Sequence, residues 1–200
     1  MSGIPILSLV TFLPMVGALV IFFFARGEAE QVAKNARNTA FVVAATTFLL
    51  SLVMLAGFDG TEAGFQLTEK AEWLPGFNIG YHVGVDGISV WFVMLSTLLT
   101  PICILASWTA IKTRVKEYMI AFLMLETFMV GMFCALDFVT FYIFFEGVLI
   151  PMFLIIGVWG SENRVYAAFK LFLYTLAGSV LMLLAILALY IHADTTDIPT

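Results

Sequence analysis

The chain has 200 residues, of which 62% are hydrophobic and only 12% charged, with a formal net charge of -5 and a mean hydropathy of +1.05. No soluble domain of this size has such a composition, so the expected surroundings are a lipid bilayer, and no nucleic-acid partner is expected. The net charge itself decides little, because the charges lie mostly in short clusters between long apolar runs.

The first run, Ile4 to Phe24, has the length of a bilayer-spanning helix. It lacks a basic segment ahead of it, is interrupted by Pro14, and leads into Ala25-Arg26-Gly27-Glu28 without a small-residue cleavage site. These features predict a retained helix rather than a cleaved signal peptide. A second span is predicted from Thr39 to Ala56.

Residues 57–87 are too polar to span. The turn signal Pro75-Gly76, followed by period-two alternation at Phe77, Ile79, Tyr81 and Val83, predicts an external β-hairpin. Asp86 stands just before the third span, where its side chain can accept from free amides of the first helical turn; a capping role is favoured over a catalytic one.

The remaining spans are predicted at Ile88 to Trp108, Tyr118 to Leu136, Phe138 to Trp159 and Val165 to Ile191. The fold class is therefore an all-α integral membrane protein with six transmembrane helices, and residues 1–200 form a single membrane domain. Arg26, Lys34 and Arg37 follow the first span, Lys112, Arg114 and Lys116 the third, and Arg164 the fifth, whereas the other side receives only Lys70. The positive-inside rule places the three basic loops in the cytoplasm and the N-terminus and hairpin outside.

Three ionisable side chains fall inside the spans: Glu126, Glu146 and Lys170. Acidic residues at the centre of a spanning helix cost about 2.5 to 3.5 kcal/mol on insertion scales and persist mainly where they carry ions or protons. Glu146 is the only charge between Phe138 and Trp159, and it lies near the midplane, about 12 Å from the outer end of its helix. Gly147 leaves room for close approach beside it, and Pro151 removes a backbone N-H one turn later, freeing a carbonyl for water or side chains.

Glu146 is thus the leading candidate for a proton-carrying carboxylate. Glu126 has two readings, a relay group or a carboxyl bonded to a neighbouring helix. Lys170 also has two, a coupling partner or a snorkelling side chain near the cytoplasmic headgroups. No Lys is an obvious deep partner for Glu146, and the polar tail Asp194-Thr195-Thr196-Asp197 suggests one part of a longer membrane protein or assembly.

Phosphate-cradling loops, HExxH helices and Cys-x-x-Cys pairs are missing, and two His and two Cys give little from which to build a metal site. No metal or redox cofactor is expected in this chain. Cys103 and Cys134 are expected to pack structurally, and His82 and His192 to serve surface or interface roles.

Three groups of residues carry a family resemblance. They are Tyr81-His82-Val83-Gly84-Val85-Asp86-Gly87-Ile88-Ser89, Phe145-Glu146 with Pro151, and Ala168-Phe169-Lys170 followed by Leu173-Tyr174-Thr175 and Gly178-Ser179. With them the whole chain resembles the N-terminal part of the M-type subunit (chain 4) of NADH:quinone oxidoreductase, respiratory complex I, which is related to Mrp-type antiporter subunits.

The resemblance implies a longer antiporter-like fold of inverted repeats, in which the glutamate matched by Glu146 pairs with a lysine on helix 7. It implies proton translocation driven by electron transfer from NADH to quinone. NAD, FMN, iron-sulfur clusters and quinone would sit in partner subunits, and the neighbours would be other membrane-arm subunits, including antiporter-like ones. A bacterial plasma membrane is the expected location, with a mitochondrial inner membrane as the alternative. The alternative functions are a cation/proton antiporter or membrane-bound hydrogenase subunit, or a non-transporting scaffold.

Overall fold

The structure is a computed structural model, and it describes residues 5–62, 64–74, 79–193 and 195–199. Six helices are long and apolar enough to span a membrane: α1 (Ile6–Phe24), α2 (Ala29–Ala56), α3 (Ser89–Ala106), α4 (Val115–Cys134), α5 (Phe138–Trp159) and α6 (Arg164–Ala193). Strands β1 (Gln66–Leu74) and β2 (Ile79–Val85) form an antiparallel hairpin between α2 and α3. The predicted start at Ile4, the turn at Pro75 and Gly76 with Phe77, and Asp194 lie outside the described residues.

The largest departure from expectation is the start of α2, at Ala29 instead of Thr39. The segment between is rich in Ala, Glu, Gln, Lys and Arg, good helix formers that are too polar to read as membrane. The helix therefore projects beyond the apolar span. Ala36, Ala40 and Ala44 form a fully buried stripe at i,i+4 spacing that lets α2 approach its neighbours closely.

Helix α4 is the centre of the assembly, packing against α1, α2, α3 and α5, while α6 lies on α5. The core divides into two apolar clusters. One includes Ala18 and Ile21 of α1, Ala44 of α2, Ile104 of α3 and Leu123 of α4. The other, beneath the hairpin, includes Val10, Met54, Val93 and Val130 with Val83 and Val85 of β2.

The loops gather by charge. At the basic end, Lys116 Nζ donates to the carbonyls of Phe22 at 2.9 Å and Ala25 at 3.0 Å, closing the C-terminus of α1 with a cation. Arg37 donates to the Ile111 carbonyl at 2.8 Å, and the Trp159 indole to that of Thr113 at 2.8 Å.

At the other end the hairpin becomes the start of a larger patch. Leu136 N donates to His82 O at 2.8 Å, Ile198 N to Leu136 O at 2.8 Å and Phe138 N to Thr196 O at 2.9 Å. The hairpin, the α4–α5 turn and the segment after α6 are thus laced together by backbone hydrogen bonds. The structure sets the three basic loops at one end and Lys70 at the other, as the charge pattern requires.

Candidate functional site

Helix α5 begins at Asp137, whose Oδ1 accepts from Val139 N and Thr140 N at 2.9 Å each. That cap fixes the depth of Glu146, nine residues further on and about 13 Å down the helix. Glu146 is half-buried, and its Oε1 is enclosed without a hydrogen-bond partner. One turn earlier on the same face, Tyr142 interacts both with Glu146 and with Ser179 of α6.

Behind the carboxylate the two central helices interlock. A Cβ placed on Gly147 would lie 2.4 Å from the Phe128 ring of α4, and one on Gly131 of α4 would lie 2.4 Å from the Phe144 ring of α5. The close approach expected at Gly147 is therefore taken up by an aromatic ring. Pro151 is accommodated inside an unbroken α5. Its missing N-H leaves the Gly147 carbonyl, next to Glu146, without its usual i+4 donor.

Glu126 does not join Glu146. It lies two positions from Phe128 on α4 and so points to the opposite side, into the α1–α4 bundle, where it is 1% exposed. Both of its oxygens lack hydrogen-bond partners. Lys170 is on the exposed side of α6, with its ammonium 5.8 Å from the Tyr166 ring centroid. Among the described residues, the ion pairs found join Asp197 to Lys70 and to His82, and neither glutamate is in one.

Asp197 Oδ2 accepts from Lys70 Nζ at 2.6 Å, and Oδ1 lies 2.6 Å from His82 Nδ1. Burial pushes this carboxyl up, but the hydrogen bonds from Lys70 and His82 outweigh that effect and hold it below the usual carboxylate value. Thr196 adds a hydroxyl bond to Asp137 Oδ2. His82 thus has an interface role, as expected, while His192 is exposed at the end of α6 with Nδ1 2.7 Å from Ala188 O.

Nearby, Glu69 of β1 accepts from Leu7 N at 2.7 Å and Ser8 N at 3.1 Å, capping α1 from another element. Burial pushes the neighbouring Tyr81 phenol up to about 12. Asp86 accepts from Ile88 N at 3.1 Å and Ser89 N at 2.6 Å, while Ser89 Oγ accepts from Asp86 N at 2.9 Å. This reciprocal arrangement is the cap expected of Asp86, and the Ser89 amide bond holds its carboxyl below the usual range.

Tyr142, Ser179 and Asp197 were not singled out as site residues by the sequence. Tyr142 was findable from its i,i+4 spacing to Glu146, whereas the other two are placed by contacts between elements. Cys103 is exposed and Cys134 buried, both free.

Residues 9–136 match the family described as NADH-ubiquinone oxidoreductase chain 4, amino terminus. The chain belongs to this family. Residues 135–200 match a second description, NADH:quinone oxidoreductase/Mrp antiporter, TM. NADH-quinone oxidoreductase subunit M of Rhodobacter capsulatus is 54% identical over 98% of this chain and 38% of its own length. NADH-ubiquinone oxidoreductase chain 4 of Marchantia polymorpha is 47% identical over 96% of this chain and 38% of its own length.

The chain spans about two fifths of the curated relatives it matches. A chain of respiratory complex I from Thermus thermophilus shares the fold at a TM-score of 0.79 and 28% identity, over 96% of this chain and 38% of that one. A chain of the Mrp complex from Dietzia, at 17% identity and a TM-score of 0.80 over 97% of this chain and 20% of that one, shows the shared antiporter-like fold alone. With six apolar spans and these relatives, this chain 4 family member is a multi-pass protein of an inner membrane.

Proposed function

We propose that this chain works in the proton-translocating membrane arm of an NADH:quinone oxidoreductase, with Glu146 as the carboxylate that receives and releases the proton. The observation that carries the reading is a mid-membrane carboxylate with an unsatisfied buried oxygen, in a chain of the chain 4 family. The freed carbonyl of Gly147 offers water an acceptor beside it. Tyr142 interacts with both Glu146 and Ser179, so a shift of α6 along α5 would change the surroundings of Glu146.

In this reading the chain contributes no redox chemistry. NAD, FMN, iron-sulfur clusters and quinone belong to partner subunits, and other antiporter-like subunits continue the membrane arm, in a bacterial plasma membrane. The partner that modulates Glu146 is a basic residue outside these 200 residues, since Lys170 sits on the exposed face of α6.

Glu146→Gln, made in the full-length protein within its assembled complex, tests the reading. NADH-driven proton pumping should fall roughly 100-fold or more, the scale of a lost acid-base group. Assembled complex that pumps at the normal rate would overturn it. Glu146→Asp should retain more activity, because it keeps an ionisable carboxyl with a shorter reach.

A further inference from the structure

Between its two apolar clusters the α1–α4 bundle carries a polar storey. The buried stripe of every helix turns polar there: at Thr11 between Val10 and Ala18, at Ser51 between Ala44 and Met54, and at Thr97 between Val93 and Ile104. On α4 the same level holds Glu126 and Thr127, between Leu123 and Val130. Each of these five polar side chains is at most 1% exposed.

Part of the storey satisfies itself. Ser51 and Thr97 are 2.8 Å apart across α2 and α3, and each hydroxyl also bonds a carbonyl of its own helix. The rest does not: both carboxyl oxygens of Glu126 and the hydroxyls of Thr11 and Thr127 are buried without partners. No Lys, Arg or His is among the fully buried side chains of the described residues, so no cation there matches the carboxyl.

Buried polar groups in native proteins are nearly always hydrogen-bonded to protein or ordered water. Here the unpaired set is one carboxyl and two hydroxyls on α1 and α4, two helices packed against each other, and it supplies the number of polar partners that holds a buried water. Water is small, donates and accepts, and bridges such groups almost as well as a direct bond. The storey also lies across α4 from α5, because Glu126 and Phe128, the ring that meets Gly147, face opposite ways.

We propose that this storey is an internal water-binding site in which Glu126 takes up and returns a proton through water held by Thr11 and Thr127. In each exchange the carboxyl O-H bond breaks as an O-H bond forms on the bridging water, and the reverse step restores it. It is a second proton-holding site, and it does not depend on the role of Glu146.

Infrared spectroscopy of the full-length protein in native membranes tests this directly. The difference between the unaltered protein and Glu126→Gln should contain a carboxyl C=O band that moves to lower frequency as soon as D2O replaces water. Thr11→Val and Thr127→Val should each shift that band. A band that stays unmoved after prolonged D2O exposure would mean a dry structural carboxyl and would overturn the proposal. So would the absence of the band, or a position that follows the concentration of Na+ or K+ instead of D2O. If Glu126→Gln does not accumulate, a high-resolution density map of the unaltered protein decides: water density between Glu126 and Thr127 supports the site, and well-defined side chains around dry space overturn it.

Discussion

Gly147 of α5 faces Phe128 of α4 so closely that a methyl group added at the glycine would lie 2.4 Å from the ring. The contact is returned by Gly131 and Phe144, with the same three-residue spacing between glycine and ring on each helix. This double lock fixes the rotation of α5, and with it the direction in which Glu146 points.

Gly147→Ala should therefore overpack the joint and destabilise the protein by about 1–3 kcal/mol. Adding Phe128→Leu should restore part of the loss. Thermal unfolding of the two single variants and the double variant checks the coupling; additive effects would mean that the ring yields freely.

Tyr142→Phe keeps the ring and removes the hydroxyl that interacts with Glu146 and Ser179. Coupled pumping should fall by a few fold, the scale of one lost polar interaction of about 1 kcal/mol, while assembly stays normal. A loss as large as that of Glu146→Gln would give Tyr142 a direct place on the proton path.

Glu69 and Lys116 bracket α1, a carboxylate at its N-terminus and an ammonium at its C-terminus, both matching the helix dipole. Glu69→Ala should cost about 1–2 kcal/mol, and Lys116→Ala about 0.5–1 kcal/mol. Glu69→Gln should fall between Glu69→Ala and the unaltered protein, since its oxygen still accepts an amide. Thermal melts in a single detergent would rank the variants.

Acid should loosen the clasp at Asp197. Its carboxyl is held below the ordinary value by Lys70 and His82, so on acidification the unfolded chain takes up the proton first. The clasp's contribution is whole above about pH 3.9 and is lost as pH falls through the folded value. Asp197→Asn should lower stability near neutral pH by about 1 kcal/mol or less, and its melting temperature should drop less than that of the unaltered protein between mildly and strongly acidic buffer.

Much of the architecture can be read one residue at a time. The six spans follow from apolar length, the hairpin from period-two alternation at Tyr81 and Val83, and the cap at Asp86 from its place before Ser89. The start of α2 escaped because Ala29 to Asn38 is helical by propensity yet polar in composition, and hydropathy registers only the lipid-facing part. Depth was also legible: a rise of 1.5 Å per residue put Glu126 and Glu146 both near the midplane.

Depth is not direction. The sequence by itself determined that two carboxylates lie deep in the membrane and that a helix-loosening proline follows one of them, because those facts depend on hydropathy and backbone chemistry along a single strand of chain. Only the tertiary structure decided that Glu126 faces away from the side of α4 that meets α5, that Lys170 lies on the exposed face of α6, and that Asp197 returns to Lys70 and His82. Those outcomes depend on which face of each helix meets which neighbour, and that is settled by contacts such as Phe128 on Gly147, between residues far apart in the chain.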